Sequence, residues 1–111
     1  MSFRSDGGAR VTLRVREDHL QSTGIAHGSV AAFAGETSAW VTAQAACERP
    51  VLTSSYHLSL LKELRVREKI RAEASVVKLG RRLVVVECRV YGERGALAAA
   101  GTFTHLVMDG G

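Results

Sequence analysis

Between Gly28 and Ala46 the sequence GSVAAFAGETSAWVTAQAA carries one formal charge, Glu36. Val30, Phe33, Ala34, Thr37, Trp40 and Val41 recur at spacings of three and four, alanines fill much of the remainder, and no proline interrupts the run. That pattern predicts a helix of four or five turns. A helix with so little polar surface is expected to be buried on nearly all sides. The rest of the chain must therefore supply the surface that buries it.

The flanking segments read as strands. From Arg10 to Glu17, Val11, Leu13 and Val15 alternate with Thr12, Arg14 and Arg16, as in a half-buried strand. After the stop signal Glu48-Arg49-Pro50, four more strand-like runs follow: Val51 to Leu61, Lys69 to Val77, Leu83 to Tyr91 and Leu97 to Met108. Gly80-Arg81-Arg82 and Gly92-Glu93-Arg94-Gly95 read as turns between them. Strands joined by short turns are expected to be antiparallel neighbours. The order is thus strand, long apolar helix, then four strands, an α+β arrangement in which one five-stranded sheet covers one helix. Such a sheet leaves two edges and part of an apolar face exposed, and dimerisation is expected to cover them.

The 111 residues suit one domain, with residues 1–9 as a flexible N-terminal tail and 10–111 as the folded unit. No stretch of about 20 apolar residues occurs, and MSFRSDGGAR has no signal-peptide core, so no membrane association and a cytoplasmic location are expected. Cys47 and Cys88 have no metal-ligand neighbours at useful spacing, and both are expected to be reduced thiols. The net charge of +4 favours a polyanionic partner. Nucleic acid fits poorly, because the basic residues alternate with Glu and aromatics make up only 5% of the chain.

Three features can carry chemistry. A carboxylate inside an apolar helix is costly unless something satisfies or uses it, which singles out Glu36; the plainer reading is that it reaches solvent or an arginine. The loop Gly24-Ile25-Ala26-His27-Gly28-Ser29 runs into the helix N-terminus, where unpaired backbone N–H groups can hold a developing oxyanion. Gly28 admits a ligand close to that backbone, or serves only as a loop residue. Gln21 can hydrogen-bond a carbonyl or a water, or simply lie exposed.

Together, Gln21-x-x-Gly24-x-x-His27-Gly28-Ser29 and a carboxylate nine residues after His27 resemble the signature of the PaaI-like and 4-hydroxybenzoyl-CoA thioesterases of the hotdog fold. Thr53 to Leu60 is similar to the family's second strand, and Ile70 to Leu83 to its third strand, turn and fourth strand. The resemblance covers about residues 10 to 108. It implies an antiparallel sheet wrapped round one central helix, and two subunits joining their sheets, as a homodimer or homotetramer. It also implies hydrolysis of an aryl- or short-to-medium-chain acyl-CoA, with CoA as part of the substrate and no cofactor. By position, Glu36 matches the catalytic nucleophile or base, Gly28 the N–H on the thioester carbonyl, Gln21 the polar group on the carbonyl or water, and Thr53 a water-orienting hydroxyl. His27 matches a histidine that shapes the loop. Gly80, Arg81 and Arg82 fall where the family places basic residues near the CoA phosphates. The family's site lies between subunits, so Glu36 and Gln21 of one site are expected from different chains.

Three positions depart from the pattern. Ser29 stands where a second glycine is usual, and bears on acyl specificity. Lys62-Glu63-Leu64-Arg65 stands in place of a proline-containing strand end. Trp40 stands where a smaller residue is common; it either narrows the pocket or packs in the core. The competing reading is an acyl-CoA-binding module without catalysis, for which a carboxylate beside the thioester has no use. A hotdog dehydratase would want an Asp early in the helix, and none lies between Gln21 and Glu36.

Overall fold

The computed structural model describes residues 1–4, 7–15, 28–65 and 67–108. Its elements are β1 (Ser2–Phe3), β2 (Ala9–Arg14), α1 (Gly28–Cys47), β3 (Val51–Leu60), β4 (Lys69–Leu79), β5 (Leu83–Tyr91) and β6 (Leu97–Val107). Helix α1 falls where the periodicity predicts it. Glu48 adopts a left-handed conformation, φ 55°, and its N–H bonds the Gln44 carbonyl at 2.9 Å; Pro50 follows. This closes the helix with a non-glycine residue in a role glycine usually fills.

All strands lie in one antiparallel sheet in the order β1-β2-β4-β5-β6-β3. The hairpins β4–β5 and β5–β6 follow the expected turns. The expected pairing of β3 with β4 does not form: β3 pairs with β6 instead, Val51 opposite Val107 and Leu60 opposite Ala99. The chain leaving β3 crosses one end of the helix, where the Leu61 and Lys62 N–H groups bond the Ala98 carbonyl. Leu64 is buried there, in one cluster with Val15 and Val30. Burying that leucine over the helix end favours a crossing over a tight hairpin. Residues assigned to the N-terminal tail include β1, and Arg4 bonds the Ala74 carbonyl at 2.6 Å and the Ser75 hydroxyl. Glu73 gathers Arg4 at 3.2 Å, Arg10 at 3.1 Å and Arg71 at 2.6 Å on the sheet face away from the helix.

The core lies between α1 and the concave sheet face. Ala31 and Ala34 pack near Ile70 and Val90 at the helix's N-terminal half. Ala39 and Ala43 pack near Val84, Val86 and Phe103 at its C-terminal half. Small residues on this face bring the helix close to the sheet. At Gly35 a β-carbon would stand 3.0 Å from Cys88 Sγ and 3.6 Å from the Phe103 ring. The Cys88 thiol is pushed up to about 11, first by burial and then by Glu87, so it stays protonated. Among the described residues no helix is long and apolar enough to cross a membrane.

The expectation of burial on nearly all sides needs correction. One face of α1 is buried, but Ser29, Phe33, Glu36 and Trp40 on the opposite side are exposed, Phe33 by 65% and Trp40 by 40%. One sheet can cover only one side of a helix; the second apolar stripe is left for something beyond this chain.

Candidate active site

The uncovered stripe of α1 forms one wall of an open cleft of about 800 Å³. Glu36, Phe33 and Ser29 come from α1, Leu13 and Arg14 from β2, and Tyr56 from β3. Strands β2 and β3 stand four places apart in the sheet, so the sheet must curl round the helix for both to border one cleft. Alternation aims Tyr56 at the helix side, where its ring stacks on Phe103 at 4.8 Å and 12°. Arg14 is tied down by a 2.6 Å bond to the Arg67 carbonyl. The cleft thus offers one carboxylate, one guanidinium and two exposed aromatic rings around an apolar floor.

Gly28 begins α1, so its N–H has no acceptor within the helix. A β-carbon on Gly28 would approach the Leu60 side chain to 2.6 Å, which places the helix start against the end of β3. Eight residues of helix separate Gly28 from Glu36, a rise of about 12 Å. The two cannot touch one carbonyl from within the same chain. Gln21 and His27, with Gly24, lie outside the described residues.

The other candidates are distributed. Thr53 is half-buried and sits directly opposite His105 across the β3–β6 ladder. Trp40 lies half-way between the alternatives left by the sequence: its indole Nε1 donates to the Val51 carbonyl at 3.1 Å, while its ring borders a separate cleft with Phe3, Gln44 and Pro50. Gly80, Arg81 and Arg82 form the β4–β5 turn, closed by the Gly80 N–H on the Leu83 carbonyl at 2.8 Å. This turn adjoins Val84, which packs beside Ala43 at the C-terminal half of the helix. Within one chain it is therefore remote from Gly28. A second basic surface, Lys62, Arg65, Arg67 and Arg94 interspersed with Glu63, Glu68 and Glu93, lies at the end of the molecule that carries Leu64.

Phe33, Tyr56 and His105 escape a reading of the motif alone. Phe33 and Tyr56 flank the carboxylate, although the helical spacing and strand alternation already place each on its face. His105 is fully buried, and neither ring nitrogen makes a hydrogen bond of good geometry. Burial pushes its pKa below 6.5, while the Val84 backbone and the Glu36 carboxylate pull the other way. Counting by twos from Phe103 points His105 inward; nothing in its immediate sequence marks it as special.

One long helix packed in a single antiparallel sheet is the hotdog arrangement. The chain belongs to the thioesterase superfamily, whose family model matches residues 23–99. A mutant of the phenylacetic acid degradation protein PaaI from Thermus thermophilus superposes with a TM-score of 0.86 at 27% identity, covering 94% of this chain and 88% of that one. A thioesterase from Haemophilus influenzae gives 0.89 at 22% identity, covering 98% and 76%. A hypothetical thioesterase from Streptococcus pneumoniae, crystallised with coenzyme A, gives 0.87 at 21%, covering 93% and 82%. No curated protein matches the sequence.

Proposed function

We propose that this protein hydrolyses an acyl-CoA thioester to a free acid and CoA, with Glu36 as its catalytic carboxylate. The observation that carries the reading is the position of Glu36, exposed at mid-helix on the open side of α1 and lining the cleft with Phe33 and Tyr56. There a carboxylate reaches a bound acyl group either as nucleophile on the thioester carbon or as base for water. The CoA thiolate is a good leaving group and needs no strong acid.

The separation of Gly28 from Glu36, about 12 Å, supports a site built by two subunits. Glu36 of one chain attacks while Gly28 of a second supplies the N–H that holds the carbonyl oxygen. Gln21 accompanies Gly28 and positions the carbonyl or the water, His27 shapes the loop, and Ser29 sets the width of the acyl pocket. Thr53 orients the water. A homodimer is the smallest working unit, with a homotetramer as its further association. The phosphates of CoA meet Gly80, Arg81 and Arg82, a basic turn in an otherwise strand-rich region.

The test is CoA release from a panel of aryl- and alkyl-CoA thioesters by wild type and Glu36→Ala. Loss of about a hundredfold or more in turnover, with folding and CoA binding retained, is the expected result. Negligible turnover by both proteins with tight binding retained would instead favour an acyl-CoA-binding module.

A further inference from the structure

The open side of α1 borders a second cleft beyond the one that holds Glu36. The Glu36 cleft lies along the N-terminal half of the helix, between Leu13 of β2 and Tyr56 of β3. The second, of about 410 Å³, lies along the C-terminal half, between Phe3 of β1 and Pro50 just before β3. Strands β1 and β2 form one end of the sheet and β3 the other, so both clefts share the same two banks and the same helix wall. Glu36 and Trp40 are four residues apart, which sets their side chains on one face across a single turn, a rise of about 6 Å. The indole Nε1 of Trp40 donates to the Val51 carbonyl at 3.1 Å, fixing the ring against the cleft. Phe3 enters from the opposite bank, 54% exposed, next to Arg4, which is anchored on the Ala74 carbonyl at 2.6 Å. Gln44 adds an amide that both donates and accepts, and Arg49 lies at the end away from Glu36. From there the surface leads to the basic turn. The Met108 N–H bonds the Pro50 carbonyl and the Val107 N–H bonds the Arg82 carbonyl, each at 2.9 Å. Pro50 and Arg82 thus flank the end of β6, two strand spacings apart, about 10 Å.

We propose that the Phe3–Trp40 cleft holds the pantetheine arm of the CoA substrate. This rests on the hydrolase reading, from which it takes the position of the thioester at Glu36. The acyl group lies in the cleft with Phe33 and Tyr56, and the arm leaves in the other direction, past Trp40 and over Pro50. Its dimethyl carbon packs between the Trp40 and Phe3 rings, its amides meet Gln44, and its phosphates emerge toward Arg81 and Arg82. A chain of alternating apolar and amide groups ending in phosphate suits two aromatic walls, one amide side chain and a cationic exit. Phe3, in a segment that reads as a tail, thereby takes part in recognising the carrier.

Trp40 is the chain's one tryptophan, so its fluorescence reports on the cleft directly. Titration of wild type and Glu36→Ala with CoA or with pantetheine is expected to change the emission saturably, whereas 3′,5′-ADP, which lacks the arm, is expected to leave it unchanged. Phe3→Ala is expected to lower kcat/KM for an acyl-CoA by about tenfold, mainly through KM, as loss of a binding contact does. The N-acetylcysteamine thioester of the same acid, which lacks most of the arm, is expected to lose less. CoA binding that calorimetry detects and Trp40 emission does not register overturns the inference, as does an equal loss for the two thioesters. Absence of turnover with the emission change retained sinks the hydrolase reading and leaves the cleft as the seat of the arm in a CoA-binding protein.

Discussion

His105 carries a stability prediction of its own. Its folded pKa is depressed below 6.5, so in the window beneath 6.5 the unfolded chain binds more protons than the folded one. Stability therefore rises with pH through that window: the contribution is complete above 6.5 and is lost as pH falls toward the folded value. One proton gives a slope of at most about 1.4 kcal/mol per pH unit. Urea unfolding of wild type is expected to weaken on acidification below 6.5, and His105→Phe is expected to flatten that part of the curve. Equal slopes for the two proteins would show that the ring is not held neutral by the fold. Glu36 belongs to the same scale. Its isolation was legible as the one charge in an apolar helix, but its exposure was not, because periodicity cannot tell which of two apolar stripes the sheet will cover.

At the scale of elements, the helix–sheet contact depends on small side chains. Gly35 leaves 3.0 Å between a would-be β-carbon and Cys88 Sγ. Gly35→Val is expected to destabilise the fold by about 1 to 3 kcal/mol in denaturant unfolding, since Cys88 and Phe103 are both buried against it. An unchanged midpoint would mean that the helix shifts freely. The elements themselves were readable: α1, β4, β5 and β6 follow their apolar patterns closely. Partner choice was not. Alternation assigns Tyr56 and Leu58 to a face but says nothing of their neighbour, and the β3–β6 ladder depends on Leu64 drawing the chain across the helix end. Likewise Arg4 reads as part of a loose tail because its partners, Glu73, Ala74 and Ser75, lie some seventy positions away.

The whole molecule presents an unfinished surface. β3 ends the sheet with one side unpaired among the described residues, and Phe33, Trp40 and Tyr56 lie exposed beside it. Sedimentation equilibrium is expected to return a mass of twice 11.9 kDa or four times it. A monomer at micromolar concentration would remove the two-subunit site. The proposed site reads in the sequence as a string of residues without geometry: nothing there says that Gly28 and Glu36 of one chain stand too far apart to serve one carbonyl. The strand order has a further consequence during synthesis. β3 leaves the ribosome early, while β6, which it needs, is made last; Val51 waits for Val107, and Leu60 for Ala99. Until then β3 is an unsheltered template for another nascent chain, and a message cut short before β6 yields a polypeptide prone to aggregate rather than a smaller version of the protein.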